Sequence, residues 1–332
     1  MAATAWGLGV MVAGLLVFGG TVVVLWQAEA EATRQADEAR KALAEVERSR
    51  RRERAQAAKD RVIAQLPDLR RRALWPQSLT LLAEAKTLLG PDSDDAVREQ
   101  LALAESEIRL LARLDEIRMR KASLASEHPE KVWNASDIRK DYHEAFREAG
   151  YDFSGSDRER IISTVSHKLG ASPIKDELLV ALDDWAWAIK ADSADVIWQT
   201  TARVTGMKWR NELRITSLSA PEALSLSREV PIEQFTPAIV IGLGFTMRLF
   251  LSGDKRHAVL WLEAGAKRNP ADFWVNFYLG TEYVRLNEPE LAAGAFRAAV
   301  ALRPDAPLPL QCLKKCLDEI EGRRRERDKG SK

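Results

Sequence analysis

From Ala2 to Trp26 the chain carries no charged residue. At about 1.5 Å of rise per residue, a helix of that length crosses a hydrocarbon core of roughly 30 Å. Trp6 and Trp26, near its two ends, suit the aromatic belts of membrane interfaces. The pattern predicts an uncleaved membrane anchor over 1–26, with a secretory signal as the rival because AEA at 28–30 resembles a cleavage site. Residues 27–66 then lack Gly and Pro and are rich in Ala, Glu, Arg and Gln, all strong helix formers. Only Leu43, Val46, Val62 and Ile63 fill apolar positions with anything larger than alanine, so a helical stalk or weak coiled coil is expected, with weak self-association.

Pro67 is expected to end the stalk, and 67–126 to form a helical hairpin. Leu79, Leu82 and Ala83 mark one stripe, Gly90 and Pro91 the break, and Val97, Leu101, Ala104, Ile108 and Leu111 the second stripe. Over 127–238 the helix signals continue. Ser136 opens a helix carrying Ile138, Tyr142, Ala145, Phe146 and Ala149 that ends at Gly150. Ser156 opens another, with Ile161, Val165 and Leu169, closed by Gly170; Ser172 and Pro173 open a third. No stretch alternates apolar and polar residues long enough to argue for a sheet, so the fold class is all-α.

The C-terminal third repeats itself. Ala258 and Ala292, Leu262 and Phe296, Leu249 and Tyr283, and Pro270 and Pro304 each stand 34 residues apart, the period of tetratricopeptide (TPR) repeats. Two repeats are predicted, 239–272 and 273–306, the first turning at SGD (252–254). A capping helix bearing Leu310, Leu313 and Leu317 follows to about 322, and 323–332 is a polar tail. Asn276, Thr246 and Gly265 depart from the repeat pattern.

Composition narrows the chemistry. Lys plus Arg number 50 against 49 Asp plus Glu, a formal charge of +1, so nothing points to nucleic acid. The basic runs at 48–54, 70–72 and 323–327 read as solvated helix faces or as contacts with anionic headgroups or an acidic partner. Cys312 and Cys316 make no disulfide framework and read as buried small residues, while the four histidines have no ligand-spaced partners. No metal and no cofactor is expected.

LLARLDEIRMRKA (110–122), YHEAFREAGYD (142–152), ASPIKDELLVALDDWA (171–186), WRNELR (209–214) and KRNPADFWVNFYLG (267–280), behind an apolar span and an Ala/Glu/Arg-rich stalk, resemble the non-catalytic region of planctomycete membrane-anchored serine/threonine protein kinases. The resemblance covers nearly the whole chain. It implies a span, stalk, helical domain and TPR repeats that follow a kinase domain.

The chain itself contains no H-R-D and no D-F-G. IGLGF (241–245) lacks the third glycine of a phosphate loop, and its glycines read as close helix packing. Asp183 and Asp184 read as a solvated face or an ion pair rather than as acid/base catalysts. The expected function is therefore a membrane-anchored, non-catalytic TPR module for protein interaction or sensing. The alternative is the regulatory part of a serine/threonine kinase whose catalytic domain lies outside this chain. A protein or peptide partner would sit in the repeat groove, for which Met247, Phe277, Thr281 and Arg285 are the candidates. Inter-repeat packing is the competing role for the first two, and plain solvent exposure for the others. Arg34, Arg40 and Lys41 follow the span and would hold the stalk in the cytoplasm, whereas the resemblance implies the opposite side. The extracytoplasmic side is favoured, because a domain selected to fold there would not function after inversion.

Overall fold

In the computed structural model the described residues are 3–89, 95–127, 136–188, 191–213, 220–250 and 256–330. They form thirteen α-helices and two short 3₁₀ turns, with no strand among the described residues. The chain divides into two compact units, Met1–Gln65 with Thr80–Leu101, and Leu66–Leu79 with Ala102–Lys332.

Helix α1 (Ala3–Arg71) is one continuous element. The side chains of the expected span, Trp26 excepted, lie outside the described residues; among those described, no helix is long and apolar enough to cross a membrane. Pro67 does not stop α1. It forfeits one helical hydrogen bond, but the helix closes beyond it, with Arg72 N–H donating to Asp68 O at 3.1 Å and Leu74 N–H to Leu69 O at 2.9 Å. Ala73, at φ 52°, supplies the left-handed residue that ends it. Among the described side chains in the first unit's part of α1, only Ala58 and Val62 are buried, and Leu43, Val46 and Ile63 face outward. Helix α2 (Trp75–Leu89) buries Leu81, Leu82, Ala85 and Leu89. Its face is therefore rotated from the expected one, and Ala83 is exposed, because spacings of three and four from Leu82 also reach Leu89 and Ala85. The expected break at Gly90 and Pro91 lies outside the described residues.

Helix α3 (Asp95–Glu127) continues from the first unit into the second, where it buries Ile108, Leu111, Leu114 and Ile117. Helix α4 (Ser136–Glu148) buries Ile138, Tyr142, Ala145 and Phe146. Gly150, at φ 78°, lets Tyr151 N–H reach back to Phe146 O at 2.8 Å. Helix α5 (Arg158–Gly170) is capped by Asp157 rather than Ser156, its carboxylate accepting from Arg160 N–H at 3.1 Å. Helix α6 (Lys175–Ala186) begins two residues after Pro173; Ser172 Oγ accepts from Ile174 N–H at 3.3 Å in the preceding turn. Helix α7 (Ala191–Thr205), a 3₁₀ turn (Lys208–Glu212) and α8 (Ala220–Glu229) complete the middle of the unit.

The last five helices pack as successive neighbours: α9 (Pro237–Phe250), α10 (Arg256–Arg268), α11 (Phe273–Arg285), α12 (Pro289–Leu302) and α13 (Pro307–Gly330). The SGD turn lies outside the described residues. Two of the 34-residue pairs are buried alike, Ala258 and Ala292 at 1% and 0% exposure and Leu262 and Phe296 at 2% and 1%, whereas Pro270 and Pro304 are both exposed and the side chain of Leu249 lies outside the described residues. A Cβ on Gly280 would come within 2.7 Å of the Phe296 ring, and one on Gly242 within 2.0 Å of the Trp187 indole, so these glycines are set by helix contact. Asn276 keeps its place by donating to the carbonyls of Pro270 (3.1 Å) and Asp272 (2.7 Å), which holds the turn before α11. Helix α13 does not fray at residue 323. Leu308 and Cys316 are buried and Cys312 and Ile320 pack beside them, four residues apart, so Leu310 and Leu317 face outward. Arg323 donates to the carbonyl of Asn287 at 3.3 Å, pairs with the side chain of that residue, and bonds Glu319.

Candidate functional site

Three of the four groove candidates are covered. Met247 and Phe277 are 2% and 1% exposed, and Thr281 is buried with its hydroxyl donated to Phe277 O at 3.0 Å. Helical packing against the next hairpin consumes the face they stand on. Arg285 is partly exposed and pairs with Glu282 at 3.6 Å. Glu282 also faces Arg248 at 3.7 Å, and burial pushes its carboxyl up to about 7 against the pull of Arg248.

The chemically distinctive place is in the middle of the second unit, at Asp183 and Asp184 on α6. Both are buried, at 0% and 2% exposure. Successive helical residues point about 100° apart, so the two carboxylates serve different neighbours. Asp183 receives both terminal nitrogens of Arg210, at 2.6 and 3.2 Å, and the hydroxyl of Thr236 at 2.7 Å. Arg210 is itself 1% exposed, which makes this a fully enclosed bidentate pair. Burial still lifts the Asp183 carboxyl above its ordinary value, partly offset by Arg210.

Asp184 turns toward α3 and α4. Its Oδ1 lies 2.9 Å from Lys121 Nζ and 3.5 Å from Arg118 Nε, and its Oδ2 accepts the Tyr142 hydroxyl at 2.6 Å. Lys121 also donates to the Asp184 backbone carbonyl at 3.1 Å. Burial would raise the Asp184 carboxyl, but Lys121, Arg118 and Tyr142 outweigh it and hold it below the usual range. Burial, followed by the neighbouring Asp184 charge, drives the Tyr142 phenol well up, so Tyr142 serves as a permanent donor. The Lys121 ammonium is pulled down by burial, against Asp184. One carboxylate thus answers two buried cations.

Arg118 is left with the smaller share. Its Nε and Nη2 are buried without a hydrogen-bond partner, and its guanidinium stacks 4.6 Å over the Trp274 ring. It lines a cavity of about 240 Å³ between the end of α1, the start of α2, α3, α6 and the turn into α11. On the opposite wall Arg303, from the end of α12, bonds both oxygens of Asp115 at 2.8 and 2.9 Å, and Trp75 Nε1 donates to the same carboxylate at 3.0 Å. Arg70 pairs with Glu177 at 2.7 Å. Two further hollows, of about 440 and 400 Å³, lie on the surface. Their principal cations are already engaged, Arg113 with Glu148 and Arg203 with Glu159.

No family profile, no curated protein and no solved structure matches this chain. The site is therefore read from its own chemistry. Reasoning from sequence reached Asp183 and Asp184 and named an ion pair as one of two roles, but passed over Arg118, Lys121 and Arg210. A usable signal was present: Leu178, Leu179, Val180, Ala181, Leu182, Trp185 and Ala186 leave α6 apolar on nearly every side, so the acids among them enter the core with it. Cations of matching burial had to come from elsewhere in the chain. Among the described residues, no group of three or more His, Cys, Asp and Glu side chains could hold a metal ion.

Proposed function

We propose that the chain is a non-catalytic interaction module of TPR type, tethered to a membrane through residues 2–26. The observation that carries this reading is the series of successively packed helices α9 to α13, in which residues 34 apart are buried alike, Ala258 with Ala292 and Leu262 with Phe296. Stacked hairpins of this kind expose one long surface built from many equivalent helices, which suits an extended protein partner better than a reaction centre. The buried acids support the same view: Asp183 and Asp184 are enclosed and already bonded to Arg210, Lys121 and Tyr142, which leaves neither open to a substrate. The membrane tether rests on the uncharged run 2–26 alone.

Cross-linking mass spectrometry on the full chain in native membranes tests the proposal. Cross-links from a partner should concentrate on the solvent faces of α9 to α13. Cross-links confined to α1, or measurable phosphate transfer from ATP by the purified full chain, would overturn it.

A further inference from the structure

The buried charges of the second unit do not balance around Arg118. Asp184 is shared by Arg118 and Lys121 and already accepts the Tyr142 hydroxyl, so the closest approach left to Arg118 is 3.5 Å, through Nε. Its side chain is 8% exposed, and Nη2 is buried with no hydrogen-bond partner. The Asp184 and Asp272 charges and the Trp274 ring offset the burial of this guanidinium, but none of them gives Nη2 the hydrogen bond it loses with its hydration. Beside it lies the 240 Å³ cavity, about eight times the volume a water molecule takes up in the liquid. The polar neighbours that could turn toward Arg118 are committed: Asp115 to Arg303 and Trp75, Glu177 to Arg70, and Asp272 to the Val275 N–H that it caps.

We infer that this cavity is a binding site for an organic monocarboxylate with a small apolar or aromatic body, its carboxylate received by the Arg118 guanidinium. Three features set the class. The guanidinium is planar and matches a carboxylate with two parallel hydrogen bonds. The walls around it, Trp75, Trp274, Leu114, Val180 and Ala181, are largely apolar and aromatic, and hold a body rather than a bare ion. Four arginines and three carboxylates line the cavity, a single net positive charge, so one negative charge is neutralised whereas a phosphate dianion would leave one negative charge in excess. A free small acid and the terminal carboxylate of a peptide carry the same chemistry.

The full chain in detergent micelles is titrated calorimetrically with phenylacetate, with a short acetylated peptide ending in phenylalanine, with neutral 2-phenylethanol and with phenyl phosphate. The carboxylates should bind at least tenfold more tightly than the alcohol and the phosphate. Binding of phenylacetate assigns the site to a free acid, and binding of the peptide alone assigns it to a peptide terminus. Arg118→Gln should lower carboxylate affinity at least tenfold. Because Arg118 also touches the Asp184 cluster, Ala181→Phe provides a second variant that fills the cavity and leaves that cluster intact, and it should abolish binding with helical content unchanged. Failure of both carboxylates to bind, equal binding of the alcohol, tighter binding of the phosphate, or unchanged affinity in Ala181→Phe would overturn the assignment.

Discussion

The second unit is held together in two different ways. Around α11 and α12 the contacts are apolar and shape-matched: Gly280 receives the Phe296 ring, and Ala292 and Ala299 are completely buried. Around α3, α4 and α6 the centre is ionic, with Asp183, Asp184, Arg118, Lys121 and Arg210 all under one tenth exposed. An apolar contact is indifferent to which neighbour supplies it, provided that the volume fits. A buried charge tolerates only its own partner, and removal of one member leaves the other stranded. The contacts around α11 and α12 should therefore yield gradually under mutation, and the charged centre should break abruptly.

The sharpest test of that contrast is Asp183→Ala. It strands Arg210 and the Thr236 hydroxyl, and should cost roughly 3 to 5 kcal/mol in denaturant unfolding. The paired replacement Asp183→Leu with Arg210→Met should recover most of that loss, since no isolated charge remains. A double variant as unstable as the single one would show that the site needs its ions for more than mutual neutralisation.

The next effect is a pH dependence that belongs to the repeats. Glu282, facing Arg248 and Arg285, has its carboxyl raised from 4.5 to about 7 by burial. A folded state that keeps its proton longer than the unfolded chain gains stability below the unfolded value and loses it as pH climbs through the folded one. Stability should therefore fall between about pH 4.5 and pH 7, by as much as about 3 kcal/mol from this residue. Glu282→Gln should remove that part of the slope in unfolding curves taken across the range. An unchanged slope would assign the pH dependence to other groups.

Gly280→Ala addresses shape alone. Its new methyl meets the Phe296 ring at 2.7 Å and should cost about 1 to 3 kcal/mol as overpacking. Phe296→Leu in the same chain should return part of it, because the branched side chain can withdraw where the ring cannot. Additive losses would place the strain elsewhere. The smallest effect belongs to the exposed pair Arg61 and Glu84, 3.1 Å apart on α1 and α2, where Glu84→Gln should change stability by about 1 kcal/mol or less and vanish at high salt. A larger loss there would erase the distinction between buried and exposed ion pairs.

Much of this architecture could be read directly along the chain. The all-helical class and the ends of α4 follow from spacing and caps, because a helix presents the same face every three or four residues whatever it packs against. Ile138, Tyr142, Ala145 and Phe146 were expected on one face of α4 and are buried there. Where two faces were nearly equally apolar, local pattern was not enough. In α13 the stripe through Leu308, Cys312, Cys316 and Ile320 went inward with Leu313 beside it, while Leu310 and Leu317 of the expected stripe face outward. Likewise Pro67 marked a break in propensity, while the chain beyond it had enough backbone hydrogen bonds to carry α1 on to Arg71.

What the sequence determined alone is thus periodic and local: helices, their apolar faces and several of their ends. Tertiary structure alone decided the charged centre. Asp184 lies 63 residues from Lys121 and Asp183 27 from Arg210, and Arg303 reaches Asp115 across 188. No spacing rule connects such positions, because the energy of a buried charge depends on which partners the fold brings within about 4 Å and on how much water it excludes. The same dependence left Arg118 Nη2 without a hydrogen bond beside a cavity. That vacancy exists only once α3, α6 and α11 have come together.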